Sequence, residues 1–409
     1  MKGTPPTLSH LLLLGSLLWT SPAATADEPE VLSPGGQAGR APSLEERLVR
    51  SLLGVENGHL EEALRQATSL VEDQPDFRLA QLVYGDVLAA LAGRPPRFAY
   101  AAPRGVASGM RREAQARLQG YLQAPPAGAV PDELLQLPAD VEQVILIDLE
   151  AFRLYVLAHE DGELRRTADY YASIGKGGID KRREGDEKTP VGVYTVTAYL
   201  PDDRLLDLYG IGAFPISYPN RWDLLRGRTG SGIWIHGTEW TTYSRPPMSS
   251  RGCVTLSNEH FEDLRRRVEV GKTPVIVARK IHWVPPREVE DRRRDLLAAV
   301  EQWRQDWESL DTDRYLSHYA EDFRTDDMER EEFTAHKRRV NSQKRFIRVE
   351  LGAMGAYEYP GEDDLFMVEF RQVYDSSNFS SLDSKQQFWR RQADGWRIVH
   401  EGDVVTELD

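Results

Sequence analysis

His236-Gly237-Thr238, and then Ser250-Arg251-Gly252-Cys253-Val254-Thr255-Leu256-Ser257-Asn258, is the stretch on which the reading of this chain turns. Cys253 is the single cysteine in 409 residues, so no internal disulfide accounts for it. It is either a small buried hydrophobe or a nucleophile. A thiol attacks carbonyls as thiolate, and its ordinary pKa of about 8.5 means that a neighbouring base must take the proton. Ile233-Trp234-Ile235 reads as a short strand ending at His236, and Gly252 permits a tight turn before Cys253. The loop between them can therefore fold back and join imidazole to thiol. Gly252 would also let backbone amides approach an acyl oxygen closely enough to form an oxyanion hole. Arg251 adds positive charge that favours thiolate, or docks a substrate carboxylate with its planar fork. Taken alone, His236 reads as a satisfied core histidine. The combination with Ser-Arg-Gly-Cys favours chemistry.

Outward from this stretch, residues 141–280 read as a β domain. Val144–Asp148, Phe152–Leu157 and Tyr170–Ile174 are apolar runs separated by turn residues, which predicts an antiparallel arrangement. Thr189-Pro190-Val191-Gly192-Val193-Tyr194 starts a further strand, and Thr273–Ala278 closes the domain. Gly175-Lys176-Gly177-Gly178 lacks the spacing of a phosphate loop and reads as a turn or part of a substrate groove. There is no H-E-x-x-H zinc motif, and one cysteine cannot build a cysteine-based zinc site. Neither a metal nor another cofactor is expected.

These motifs together resemble the L,D-transpeptidase catalytic domain, often called YkuD-like. Such domains carry His-Gly, then Ser/Thr-His-Gly-Cys with a small apolar residue and often Asn after it. They also carry Ser-x-Gly-Lys and Thr-Pro-x-Gly-x-Tyr/Phe, matched here by Ser173-Ile174-Gly175-Lys176 and by Thr189 to Tyr194. The segment Gly210 to Asp223 resembles an insert of a Gram-negative periplasmic branch. The resemblance implies Cys253 as nucleophile and His236 as base, with Ser250, Arg251, Gly252 and Gly237 supporting the oxyanion and the turn. It implies Tyr194, Lys176, Trp234 and Thr238 as substrate-binding residues. Arg251 stands where histidine is usual. An arginine cannot serve as base, so that role falls to His236. His260, on the helix after Ser257, is a weaker alternative expected to face solvent.

The implied reaction acts on peptidoglycan stem peptides. Cys253 attacks the carbonyl of meso-diaminopimelate, the terminal D-alanine leaves, and a thioester remains. Resolution by an amine makes the protein an L,D-transpeptidase, the leading expectation. Resolution by water makes it a hydrolase, either an L,D-carboxypeptidase or an amidase releasing a wall-linked protein. A third reading is an inactive wall-binding scaffold.

The flanks complete a multidomain plan. Residues 1–26 have a basic start, a short apolar run and Ala24-Thr25-Ala26, the pattern of a signal peptide for export to the periplasm. Residues 27–42 read as a linker. Residues 43–124 read as a helical prefix opened by a Ser43–Glu46 capping box, with a tetratricopeptide-like helix pair between Gly58 and Gly93. A loop is expected at 94–108, a short helix at 110–123 and a linker at 125–138. Residues 290–404 resemble the cone-shaped nuclear-transport-factor-like α+β fold. There, Leu296, Val300, Trp303, Trp307 and Leu310 form one helical stripe, and Tyr315 to Phe323 reads as a second helix. Either flank is a place where a wall-anchored or other periplasmic protein would dock. The net charge of −14 argues against a nucleic-acid partner.

Overall fold

The computed structural model describes residues 42–94, 104–160 and 163–404. The expected export segment and nearly all of the linker after it lie outside the described residues. The prefix consists of helices Leu44–Glu56, Leu60–Asp73, Arg78–Leu91 and Arg104–Leu122. The capping box is present: Ser43 Oγ accepts the Glu46 amide at 3.1 Å, and the Glu46 carboxylate accepts the Ser43 amide at 2.7 Å. Leu48, Ala63, Ala67, Leu70, Val83 and Val87 share one core. The fourth helix starts at Arg104, inside the stretch expected to be a loop. No proline follows Pro103 until Pro125, so nothing in the sequence delays the helix.

The prefix packs on the β domain through buried charges. Arg117 pairs with Glu113 at 3.0 Å and with Glu45 at 3.5 Å, and Arg153 pairs with Glu45 and Asp169. Burial acts to raise the Glu45 pKa, but Arg153 and Arg117 outweigh it and hold Glu45 ionised.

The β domain holds two sheets. The five-stranded one runs Glu163–Tyr171, Arg153–Glu160, Gln143–Asp148, Pro274–Ala278, Gly192–Thr195. The four-stranded one runs Leu200–Pro201, Gly212–Pro215, Trp234–His236, Val254–Thr255. The expected all-antiparallel pattern does not hold. Pro274–Ala278 is parallel to Gln143–Asp148, and Trp234–His236 is parallel to Val254–Thr255, each reached by a long crossover. Ile145, Val156, Phe214, Ile235, Val254 and the helix residues Phe261 and Leu264 share the core that includes both sheets. On the other face of the larger sheet, Val144, Leu146, Tyr155 and Ile276 cluster with Tyr357, Met367 and Phe388 of the C-terminal domain. Both faces are covered, which explains why Val144-Ile145-Leu146-Ile147 is continuously apolar.

The C-terminal domain sets helix Pro286–Glu308 against a six-stranded sheet. Its sheet order is Tyr319–Arg324, Gly395–Asp403, Phe379–Gln392, Leu365–Ser376, Ile347–Glu358, Leu134–Gln136. Two sequence expectations fail here. The supposed linker supplies Leu134–Gln136 as an edge strand, burying Leu134 and Leu135. The expected helix Tyr315–Phe323 is a short helix, Thr312–Leu316, followed by a strand, because Tyr319–Arg324 pairs in parallel with Gly395–Asp403. The helix Arg330–Asn341 gave no apolar stripe, since Phe333 is its one buried large apolar residue.

Candidate active site

Parallel pairing of the strands Trp234–His236 and Val254–Thr255 creates the site. Its register sets Ile235 beside Val254 and His236 beside Thr255. Cys253 immediately precedes the strand Val254–Thr255 and so stands at the end of this strand pair. The Cys253 thiol donates to the Gly232 carbonyl at 3.6 Å.

His236 is buried, and its ring is oriented at both nitrogens. Nδ1 lies 2.6 Å from the Gly237 carbonyl and must donate there, because a carbonyl only accepts. That leaves Nε2, 3.3 Å from Thr255 Oγ1, as the atom that can take a proton. The Tyr209 ring meets the imidazole edge-on at 4.9 Å and tilts against Trp234 at 4.9 Å.

Burial sets the charge state of the pair. It pushes His236 down to about 3. It pushes the Cys253 thiol up, against the opposing pull of the Trp234 amide, Arg245 and Lys181. A thiol above its ordinary range and an imidazole far below its own are both neutral at rest. The positive charge acting on the thiol also differs from expectation, coming from Arg245 and Lys181, while the Arg251 side chain is exposed.

The other motif residues hold the turn. Ser250 Oγ accepts the Gly252 amide at 3.1 Å and donates to the Cys253 carbonyl at 2.6 Å. The Gly252 amide is thus already engaged, which removes it as an oxyanion donor. Its φ of +120° favours glycine, and a Cβ there would stand 2.8 Å from the Lys188 carbonyl. Thr189 Oγ1 accepts the Gly175 amide at 2.9 Å and donates to the Gly252 carbonyl at 2.9 Å. The Lys176 amide donates to the Ser250 carbonyl at 2.8 Å. The Ser-x-Gly-Lys and Thr-Pro-x-Gly motifs are therefore backbone braces for the nucleophile turn. Gly175 and Gly177 are glycines because a Cβ at either would run into the Glu187 or Asp186 carbonyl. Asn258 braces the other side, with Oδ1 accepting the Thr238 amide at 3.0 Å where Gly237 leaves it room.

The residues expected to bind substrate separate accordingly. Trp234 is half-buried beside Tyr209 at the site. Tyr194 is 2% exposed in the core and donates to the Val191 carbonyl, so it cannot contact a stem peptide. Thr238 is fully buried and accepts from Arg245 Nε at 3.1 Å. The Lys176 ammonium is exposed and paired with Glu187 at 2.8 Å. His260 does not face solvent freely. It stacks on Tyr170 at 4.8 Å, and burial pushes it down to about 4. Sequence reasoning missed Arg245 and Tyr209, which lie in loops with no periodicity or motif to mark them.

Arg245 is tied to Thr238, to the Leu208 carbonyl at 2.8 Å and to Glu239 at 3.2 Å. Its loop is held by the prefix. The Tyr243 ring lies on Phe77 at 4.5 Å, and Ser244 Oγ donates to Glu113 at 2.5 Å.

Comparison with known proteins agrees with this geometry. Residues 142–277 match the L,D-transpeptidase catalytic domain, and residues 295–402 match the Cds6 C-terminal NTF2-like domain. Among solved structures, Bd1075 of Bdellovibrio bacteriovorus is 29% identical, with a TM-score of 0.59 over 68% of this chain and 98% of that one. The helical cell shape determining protein Pgp2 of Campylobacter jejuni is 28% identical, with a TM-score of 0.56 over 66% of this chain and 96% of that one. A point variant of Pgp2 aligns over 74% of this chain and all of its own, at 27% identity and a TM-score of 0.57. No curated protein is similar enough to count as a match. The chain thus carries an L,D-transpeptidase-like catalytic domain with one cysteine at its site, followed by an NTF2-like domain.

Proposed function

We propose that this protein is a periplasmic L,D-carboxypeptidase of peptidoglycan stem peptides in a Gram-negative bacterium. Cys253 Sγ attacks the carbonyl of the third stem residue, meso-diaminopimelate, as its proton passes to His236 Nε2. The amide C–N bond breaks, His236 protonates the leaving D-alanine, and water then resolves the thioester. The oxyanion falls to the amide of Cys253 itself.

The observation that carries hydrolysis over transfer is the similarity, over 66% of this chain, to a protein named for determining helical cell shape. A stem trimmed of its terminal residue no longer offers this bond for cross-linking, so trimming changes wall architecture locally.

Incubation with tetrapeptide stems followed by muropeptide analysis tests this. The expected products are shortened monomers and free D-alanine, both absent with Cys253→Ala. Dimers joined through two third-position residues would establish the transpeptidase instead.

A further inference from the structure

The carbonyl that receives the Cys253 thiol is carried by a strap, the run from Arg226 to Gly232. It joins the short helix Arg221–Leu225 to the strand Trp234–His236. That helix is anchored on the C-terminal domain along its whole length. Asn220, its N-cap, donates to Tyr359 Oη at 2.8 Å, and Arg221 pairs with Asp326 at 3.0 Å. The Trp222 ring stacks on Phe388 at 5.1 Å. Arg324 donates to the Leu225 carbonyl at 3.1 Å. Arg226, the C-cap, makes two bonds to the Glu362 carboxylate, at 3.1 and 2.5 Å.

The strap carries this anchorage to the nucleophile. Arg228 is the joint. Its amide donates to the Asp223 carbonyl at 2.9 Å, and its guanidinium donates to the fully buried Asp223 carboxylate at 2.9 Å and to the Val191 carbonyl at 3.3 Å. Thr229 then crosses the loop that holds Lys181. Its amide donates to the Arg182 carbonyl at 3.1 Å, and its Oγ1 accepts the Glu184 amide at 3.2 Å. Gly230 runs so close to this loop that a Cβ would stand 3.0 Å from Glu184 Cα. Two residues on, the Gly232 carbonyl accepts the thiol at 3.6 Å, and Lys181 is one of the two cations acting on that thiol.

We propose that the C-terminal domain aims the nucleophile: by anchoring the helix Arg221–Leu225 it fixes the strap, with Arg228 as the positioning residue that holds the Gly232 carbonyl against the Cys253 thiol. This rests on Cys253 being the nucleophile of the carboxypeptidase reading above. A thiol that donates to a carbonyl points one way and keeps its proton, because the bond favours the neutral form. A strap freed from its anchors lets that bond go. The sulfur then ionises more readily and turns among its rotamers. Reaction with a small diffusing reagent speeds up. Attack on a bound carbonyl slows down, since it needs the sulfur in line at about 3 to 3.5 Å.

The test is a charge-reversal cycle on the outermost anchor, Arg226 with Glu362, in the full-length protein. Arg226→Glu, Glu362→Arg and the double variant are compared with wild type by the rate at which iodoacetamide alkylates Cys253 at pH 7, read by intact mass. Near-ultraviolet circular dichroism checks that each is folded. Each single variant is expected to be alkylated about threefold faster, the scale of one bidentate surface pair, and to lose kcat on a tetrapeptide stem with KM unchanged. The double variant restores the pair with its ends exchanged and should recover most of both changes. Tyr359→Phe removes the acceptor of Asn220 at little cost in volume. It should act in the same direction, and it carries the test if a charge reversal unfolds the chain. Wild-type alkylation rates in the folded variants, an unchanged kcat despite faster alkylation, or a double variant as altered as the singles would overturn the proposal. Cleavage by the wild-type protein is scored separately. No cleavage with the alkylation cycle intact would sink the carboxypeptidase reading and leave the positioning of the thiol standing.

Discussion

At the residue scale, the proposed chemistry depends on a thiol and an imidazole that are both neutral at rest. His236, held down to about 3, is unprotonated and able to accept a proton at any pH well above that value. Cys253, pushed above its ordinary range, keeps its proton until a carbonyl is in place. Two outcomes follow. Turnover is flat from about pH 5 to 8 and falls only as the pH approaches 3 and the imidazole charges. Alkylation of Cys253 by iodoacetamide rises with pH without levelling off below pH 9. An alkylation midpoint near or below pH 6 would mean a standing thiolate–imidazolium pair and refute this description. The proposed nucleophile and base could be picked out in the sequence because each lies in a short motif whose glycines, Gly237 and Gly252, are dictated by local crowding. Arg245 and Tyr209 were not legible. They reach the site through loop paths fixed by distant contacts, and no spacing rule marks such positions.

At the element scale, the site is one parallel strand pair clamped from three directions. Thr189 and Lys176 brace the turn from one side, Asn258 from another, and the prefix secures the loop that carries Arg245. Through the last clamp the helical prefix fixes the position of the loop that carries Arg245. Phe77→Ala removes the ring beneath Tyr243 and is expected to cost about 3 to 5 kcal/mol of stability. In the fraction that remains folded, turnover should drop while Cys253 can still be alkylated. Unchanged turnover in folded Phe77→Ala protein would mean that the prefix does not position the loop. Helices with apolar stripes were readable, and so were strands with compact apolar runs. The strands that escaped, Leu134–Gln136 and Tyr319–Arg324, owe their form to partners more than 70 residues away, at Ile347–Glu358 and Gly395–Asp403.

At the scale of the molecule, the catalytic and C-terminal domains share structure that sequence boundaries would divide. Leu134–Gln136 precedes the catalytic domain yet completes the C-terminal sheet. Asn220, in the insert, donates to Tyr359 Oη at 2.8 Å, and Arg226 pairs with Glu362. The apolar face of the five-stranded sheet is covered by Tyr357, Met367 and Phe388. Calorimetry of the full chain should therefore show these two domains unfolding in one cooperative transition. Two well-separated transitions would contradict the shared core. The central claim is that water resolves an acyl group carried on Cys253. Turnover of a tetrapeptide stem in oxygen-18 water, read by mass spectrometry, tests it most directly. With wild-type protein, tripeptide monomers should carry one heavy oxygen in the new carboxylate, and with Cys253→Ala none should form. Unlabelled dimers, or labelling that survives Cys253→Ala, would contradict it.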